Sequence, residues 1–136
     1  MAGYSLLKRI RDPALAAPRR IVTDLEVRAS VLDNLRAMFA TRVGSALTCP
    51  DYGIVSVTDI VHSCPDAIED ILRSIRHSIR TYEPRLVLPV VRYVDGDASR
   101  GLTIRFEISG QLVNGERRTA VRFESVIDAT RTVRVE

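Results

Sequence analysis

The chain has 136 residues, enough for one domain with a real core, and 46% of them are hydrophobic. A mean hydropathy of +0.02 excludes wholesale disorder. With 5% aromatic residues and no tryptophan, a sugar- or base-stacking groove is not expected. The net charge of +3 is carried almost wholly by arginine, Lys8 being the single lysine, and the basic residues do not form the block that favours nucleic acid.

Residues 4–11 read as a short amphipathic helix with Leu6, Leu7 and Ile10 on one side, ended by Asp12-Pro13. Ala14 to Arg20 reads as an irregular linker, which leaves the first segment either docked on the body or reaching toward a partner. A long helix follows, capped by Thr23 or Asp24 and running to about Thr41. Its stripe is Val27, Val31, Leu32, Leu35, Met38 and Phe39, and Gly44 suits a left-handed cap at its end. Residues 45–56 form a loop in which Pro50, Asp51 and Gly53 favour a tight turn and Tyr52 lays its ring on the core. Val55 to Val61 suits a short helix or an extended connector.

The second long helix opens with Pro65 at its first position. Asp66, Glu69 and Asp70 in the early turns and Arg73, Arg76, His77 and Arg80 in the later ones complement the helix dipole. Ile68, Ile71, Leu72, Ile75 and Ile79 form its buried stripe, and His77 falls on its surface. The helix ends at Tyr82-Glu83-Pro84-Arg85, because Pro84 has no N–H and disfavours the helical conformation at Glu83. The proline ring makes a stiff joint with a carboxylate on one side and a guanidinium on the other. These charges either pair with each other or are held out for a partner. An internal pair on a surface contributes about 0–1 kcal/mol, which favours the second reading, with Tyr82 anchoring the joint to the core.

From Leu86 the period changes to two. Leu86, Leu88, Val90 and Val94 alternate with Val87, Val91 and Tyr93, and Pro89 points to a sheet edge or a bulge. After a loop from Asp95 to Gly101, Leu102, Ile104, Phe106 and Ile108 alternate with Thr103, Arg105, Glu107 and Ser109 as a half-buried strand. Asn114-Gly115 predicts a hairpin. Taken as the two turn residues, they set Leu102 opposite Ile127, Phe106 opposite Phe123 and Ile108 opposite Val121. On the other face Arg105 then meets Glu124 and Glu107 meets Arg122. Residues 131–136 form a last short strand, either a sheet edge or an arm free to join another sheet.

The pattern predicts one α+β domain over 1–136, divided into an N-terminal helix and linker (1–20), a helical part (21–85) and an antiparallel sheet (86–136). Two long helices are expected to pack on one face of a small antiparallel sheet of three to four strands, with a short N-terminal helix.

No P-loop, dinucleotide glycine fingerprint, HExxH or nucleophile elbow is present. Cys49 and Cys64 each precede a proline and form no CxxC pair, and with His62 and His77 they match no familiar zinc spacing, so no metal or cofactor is expected. The N-terminus lacks a signal h-region, and no uncharged run approaches the ~18 residues of a membrane span. A soluble cytoplasmic protein with free thiols is expected. A glycosidase needs two carboxylates across a cleft; Glu83 and Asp51 are the candidates, and neither context suggests acid chemistry.

Leu6-Leu7-Lys8-Arg9-Ile10, the helix end Ala40-Thr41-Arg42, the loop Asp51-Tyr52-Gly53-Ile54 and the joint Tyr82-Glu83-Pro84-Arg85-Leu86 followed by strands share one pattern. Together they resemble the baseplate wedge family shared by contractile phage tails and type VI secretion systems. The likeness runs over nearly the whole chain in order, and its most specific piece is Glu83-Pro84-Arg85 at the helix-to-strand joint. The family often has Asn-Thr-Arg or Asn-Ser-Arg where this chain has Ala40-Thr41-Arg42, so no role of that asparagine is carried over. The resemblance implies a structural subunit of a cytoplasmic baseplate at the inner-membrane face. It implies that Glu83, Pro84 and Arg85 contact the helical core bundle of the wedge, formed in type VI systems by TssF and TssG, with TssK as a further neighbour. It also implies a platform for the first sheath ring, TssB and TssC. Separately, the terminal strand Thr132, Val133, Arg134 and Val135 has a backbone able to extend a sheet across a subunit boundary, which makes it the candidate sheath contact. Family members have been labelled lysozyme-like. Peptidoglycan cleavage would need Glu83 as general acid, and a nucleic-acid module would need the arginines to converge on one face.

Overall fold

The computed structural model describes residues 6–16, 21–55, 66–94, 103–128 and 133–135. In chain order these form α1 (Leu6–Arg11), a 3-10 turn (Pro13–Ala16), α2 (Asp24–Ala40), α3 (Asp66–Tyr82), β1 (Leu86–Val94), β2 (Thr103–Asn114), β3 (Arg117–Asp128) and β4 (Val133–Val135). The expectations for Pro65, Cys64, His62, most of Val55 to Val61, the 95–101 loop, Leu102, the 129–130 turn and Thr132 lie outside the described residues.

α2 starts where its sequence says it should. Thr23 is the N-cap, its hydroxyl accepting from the Glu26 N–H at 3.3 Å while the Glu26 carboxylate accepts from the Thr23 N–H at 2.9 Å. This reciprocal box satisfies two of the donors that every helix start leaves open. Val27, Val31, Leu35, Met38 and Phe39 are buried, and Leu32 packs against them. The helix ends at Ala40 as expected, but without the glycine cap. Thr41 leaves in an extended conformation (φ −98°, ψ 131°), and Arg42 forms a parallel bridge with Ile54. Gly44 is left-handed (φ 83°) but serves the next turn, donating its N–H to the Pro50 carbonyl at 2.8 Å.

Cys49 to Tyr52 is the tight turn expected, closed by Tyr52 N–H to Cys49 O at 3.0 Å with Pro50 second. Gly53 then passes so close to the end of α2 that a Cβ would lie 2.3 Å from the Thr41 carbonyl oxygen. α3 holds this passage from the other side, the buried Ser78 hydroxyl donating to Gly53 O at 2.5 Å. Ile71, Leu72, Ile75 and Ile79 are buried, Ile68 packs beside them and His77 is exposed.

The sheet is antiparallel with order β1-β2-β3-β4, so β1 and β4 are its edges. Ile104, Phe106, Ile108, Leu112, Phe123 and Ile127 face the helices, with α3 over β1 and α2 beside β2 and β4. The fold is therefore the α+β arrangement the pattern predicts, with four strands.

Two registers depart from expectation. Asn114 pairs with Arg117, so the turn residues are Gly115 and Glu116, not Asn114 and Gly115. Gly115 has φ 61° at the first central position, where a type II′ turn takes glycine. Asn114 is withheld from the turn because its amide donates to Val22 O at 3.1 Å and Asp24 Oδ1 at 2.8 Å, clasping the hairpin to the start of α2. The slip is two residues. Ile108 faces Phe123 and Ile104 faces Ile127, while Arg122 reaches Glu107 diagonally at 3.1 Å.

In β1 the phase breaks at a bulge between Val87 and Val90, where Leu88 and Pro89 oppose Gly110. Leu86 and Val91 point inward and Pro89 is buried, while Leu88 and Val90 are exposed. The expected face of Leu86, Leu88 and Val90 is thereby split. Gly110 is required opposite the bulge, since a Cβ would lie 2.9 Å from Leu86 Cδ1 and 3.0 Å from Val87 O.

α1 is tied to α2 by an ion pair between Lys8 and Asp33, but Leu6, Leu7 and Ile10 remain exposed. Among the described residues no helix is long and apolar enough to cross a membrane.

Candidate functional site

The joint between α3 and β1 is built by backbone first. Glu83 N–H closes the last turn onto Ile79 O at 2.9 Å, and Leu86 N–H turns back to Glu83 O at 3.1 Å. Arg85 O then accepts from Val113 N–H at 2.8 Å, which starts the sheet. Pro84, with no N–H, sits exposed at the apex.

The side chains fold inward around it. Glu83 is 1% exposed. Its Oε1 accepts from Arg85 Nε at 2.8 Å, and its Oε2 accepts from Arg85 Nη2 at 3.0 Å and Asn34 Nδ2 at 2.7 Å. Arg85 Nη1 donates to Ser30 Oγ at 3.1 Å. The two charges thus serve each other, in a bidentate pair that α2 completes with Ser30 and Asn34. A pair held this way is not the weak surface pair of the sequence reading, because a buried carboxylate that lost its partner would be stranded in low dielectric. Arg85 itself keeps 24% of its side chain exposed beside Pro84.

Two tyrosines brace the joint. Tyr82 packs against the core, and the Tyr52 ring meets it edge to face at 5.1 Å. Burial pushes the Tyr52 phenol above its ordinary value, and the nearby Glu83 carboxylate adds to the shift.

Sequence reasoning found Glu83, Pro84 and Arg85 but missed Ser30 and Asn34. A signal was present: the two lie four residues apart beside the apolar stripe of α2, so they share its inner side. Asp51 is exposed in its loop while Glu83 is buried, so the two carboxylates do not face each other across a cleft. A cavity of about 100 Å³ lies elsewhere, between the start of α2 and the hairpin, lined by Asp24, Leu25, Arg28, Asn114 and Thr119 among others. Among the described residues no group of three or more potential metal ligands comes together. Of the expected sheath contact, Val133 to Val135 form edge strand β4, with Arg134 opposite Val126.

A family model described as "Baseplate wedge protein gp25" matches residues 25–117, about two thirds of the chain. No curated protein matches it. Among solved structures, the chain is similar to one described as "The baseplate complex from the type VI secretion system". The two share 24% identity and a TM-score of 0.64 over 75% of this chain and 93% of that one. It is also similar to a "putative tail lysozyme" from Geobacter sulfurreducens, at 18% identity and a TM-score of 0.56 over 77% of this chain and 93% of that one. At these identities the structural likenesses speak for the fold.

Proposed function

The chain belongs to the baseplate wedge family, and from that premise we propose that it is the TssE-type subunit of a type VI secretion baseplate. Its role is structural. The joint at Glu83-Pro84-Arg85 binds the wedge core bundle of TssF and TssG beside TssK, at the inner-membrane face, and the sheet offers TssB and TssC a platform for sheath growth.

The observation that supports this reading is the buried pair of Glu83 and Arg85, latched to Asn34 and Ser30 of α2. Glu83 is the inner brace, and the surface offered to the partner is Pro84 with the outer part of Arg85. A joint fixed beforehand loses little entropy on docking. The same burial argues against Glu83 as a general acid, since both its oxygens are occupied by the chain itself.

The test is substitution at the exposed apex. Pro84→Glu should leave the thermal midpoint nearly unchanged and weaken binding to purified TssF–TssG by at least tenfold. Wild-type affinity in that variant would remove the joint from the interface. Digestion of peptidoglycan by the purified chain, stopped by Glu83→Gln, would replace the structural reading with the enzymatic one.

A further inference from the structure

We propose that Leu88 is an apolar anchor for the wedge partner, presented beside the joint by the bulge in β1; this rests on the function proposed above. The first residue of a bulge with positive φ is ordinarily glycine, because a side chain there crowds the backbone. Here it is leucine at φ 52°, the one residue other than glycine with positive φ among those described. Packing does not offset that strain, for the side chain is 70% exposed.

The surroundings hold Leu88 outward. On the facing strand Gly110 lets Leu86 and Val87 lean against β2, within 3.0 Å of where a Cβ would be. Pro89 follows, buried and lacking an N–H, and fills the inward place. Between Pro84 and Val90 one stretch therefore presents an exposed proline, about a quarter of the Arg85 side chain, an exposed leucine and a half-exposed valine. Aliphatic groups in a row beside the joint fit the apolar seam of an amphipathic helix. The occupant is such a helix of the core bundle, with Leu88 entering the seam.

Two substitutions test this, because glycine and asparagine both accept positive φ. Leu88→Gly and Leu88→Asn in the full chain are each compared with wild type by thermal melting and by calorimetric titration with purified TssF–TssG. The expected result is a thermal midpoint at or above that of wild type, with affinity lowered at least tenfold. Wild-type affinity in both variants overturns the anchor while leaving the proposed function standing. A midpoint several degrees lower in both assigns Leu88 to the fold and also overturns it. Failure of the wild-type chain itself to bind overturns the proposed function and the anchor together.

Discussion

At the scale of single residues, two ion pairs that meet α2 have opposite weights. Lys8 and Asp33 are about half exposed, and such a pair contributes about 0–1 kcal/mol. Glu83 is enclosed with Arg85, and removing one partner of a buried pair costs roughly 3–5 kcal/mol. Because Arg85 keeps some solvent, the lower end applies. Glu83→Gln should therefore destabilise the chain by about 3 kcal/mol in denaturant titration, whereas Lys8→Ala should stay within about 0.5 kcal/mol of wild type. Equal losses in the two variants would show that the buried latch adds nothing beyond a surface pair. The sequence placed this joint correctly and misjudged its surroundings. Pro84 marks the helix end locally, but the pair is completed from α2, where Asn34 meets Glu83 across 49 positions and Ser30 meets Arg85 across 55. No local pattern contains a contact of that span.

Among the elements, local signals were legible, whereas the hairpin register and the phase of β1 were not. The capping box, both helical stripes and the Pro50 turn follow from neighbours a few residues apart. The hairpin shows how a wrong register can still give the right core. A slip of two keeps every side chain on its face, so Phe106, Ile108 and Phe123 are buried as expected although their partners change. The bulge in β1 adds one residue, and one residue inverts the face, which is why Leu88 and Val90 came out exposed. Gly110 is the sign of that bulge, and the alternation of β2 does not single it out. Gly110→Ala would press a methyl group against buried Leu86 and the Val87 carbonyl, with an expected cost of about 1–3 kcal/mol by chemical denaturation. Unchanged stability would mean that β1 shifts freely, and the phase inversion would then not be fixed by packing.

On the scale of the whole molecule, the sheet has two open edges with different character. β1 carries a proline and a bulge, devices that discourage edge pairing, whereas β4 is a short regular strand on β3. The sheath platform proposed above would use β4, whose three residues carry neither proline nor bulge. Deleting residues 131–136 should block sheath elongation in cells, scored by fluorescent sheath assembly, while co-purification with TssF–TssG persists. Normal sheath growth in that truncation would remove β4 from the platform.

The clasp of Asn114 on the start of α2 has a further consequence, in time. Its two hydrogen bonds join groups 92 and 90 positions apart. At roughly 5–20 residues per second, a ribosome needs on the order of 5–18 s to make the chain between them. α2 is capped by its own sequence at the start of that interval, yet of the core residues it joins, Phe106 arrives near the end and Phe123 and Ile127 after it. The helix thus waits with its stripe only partly covered, and translation speed sets how long the nascent chain is open to aggregation.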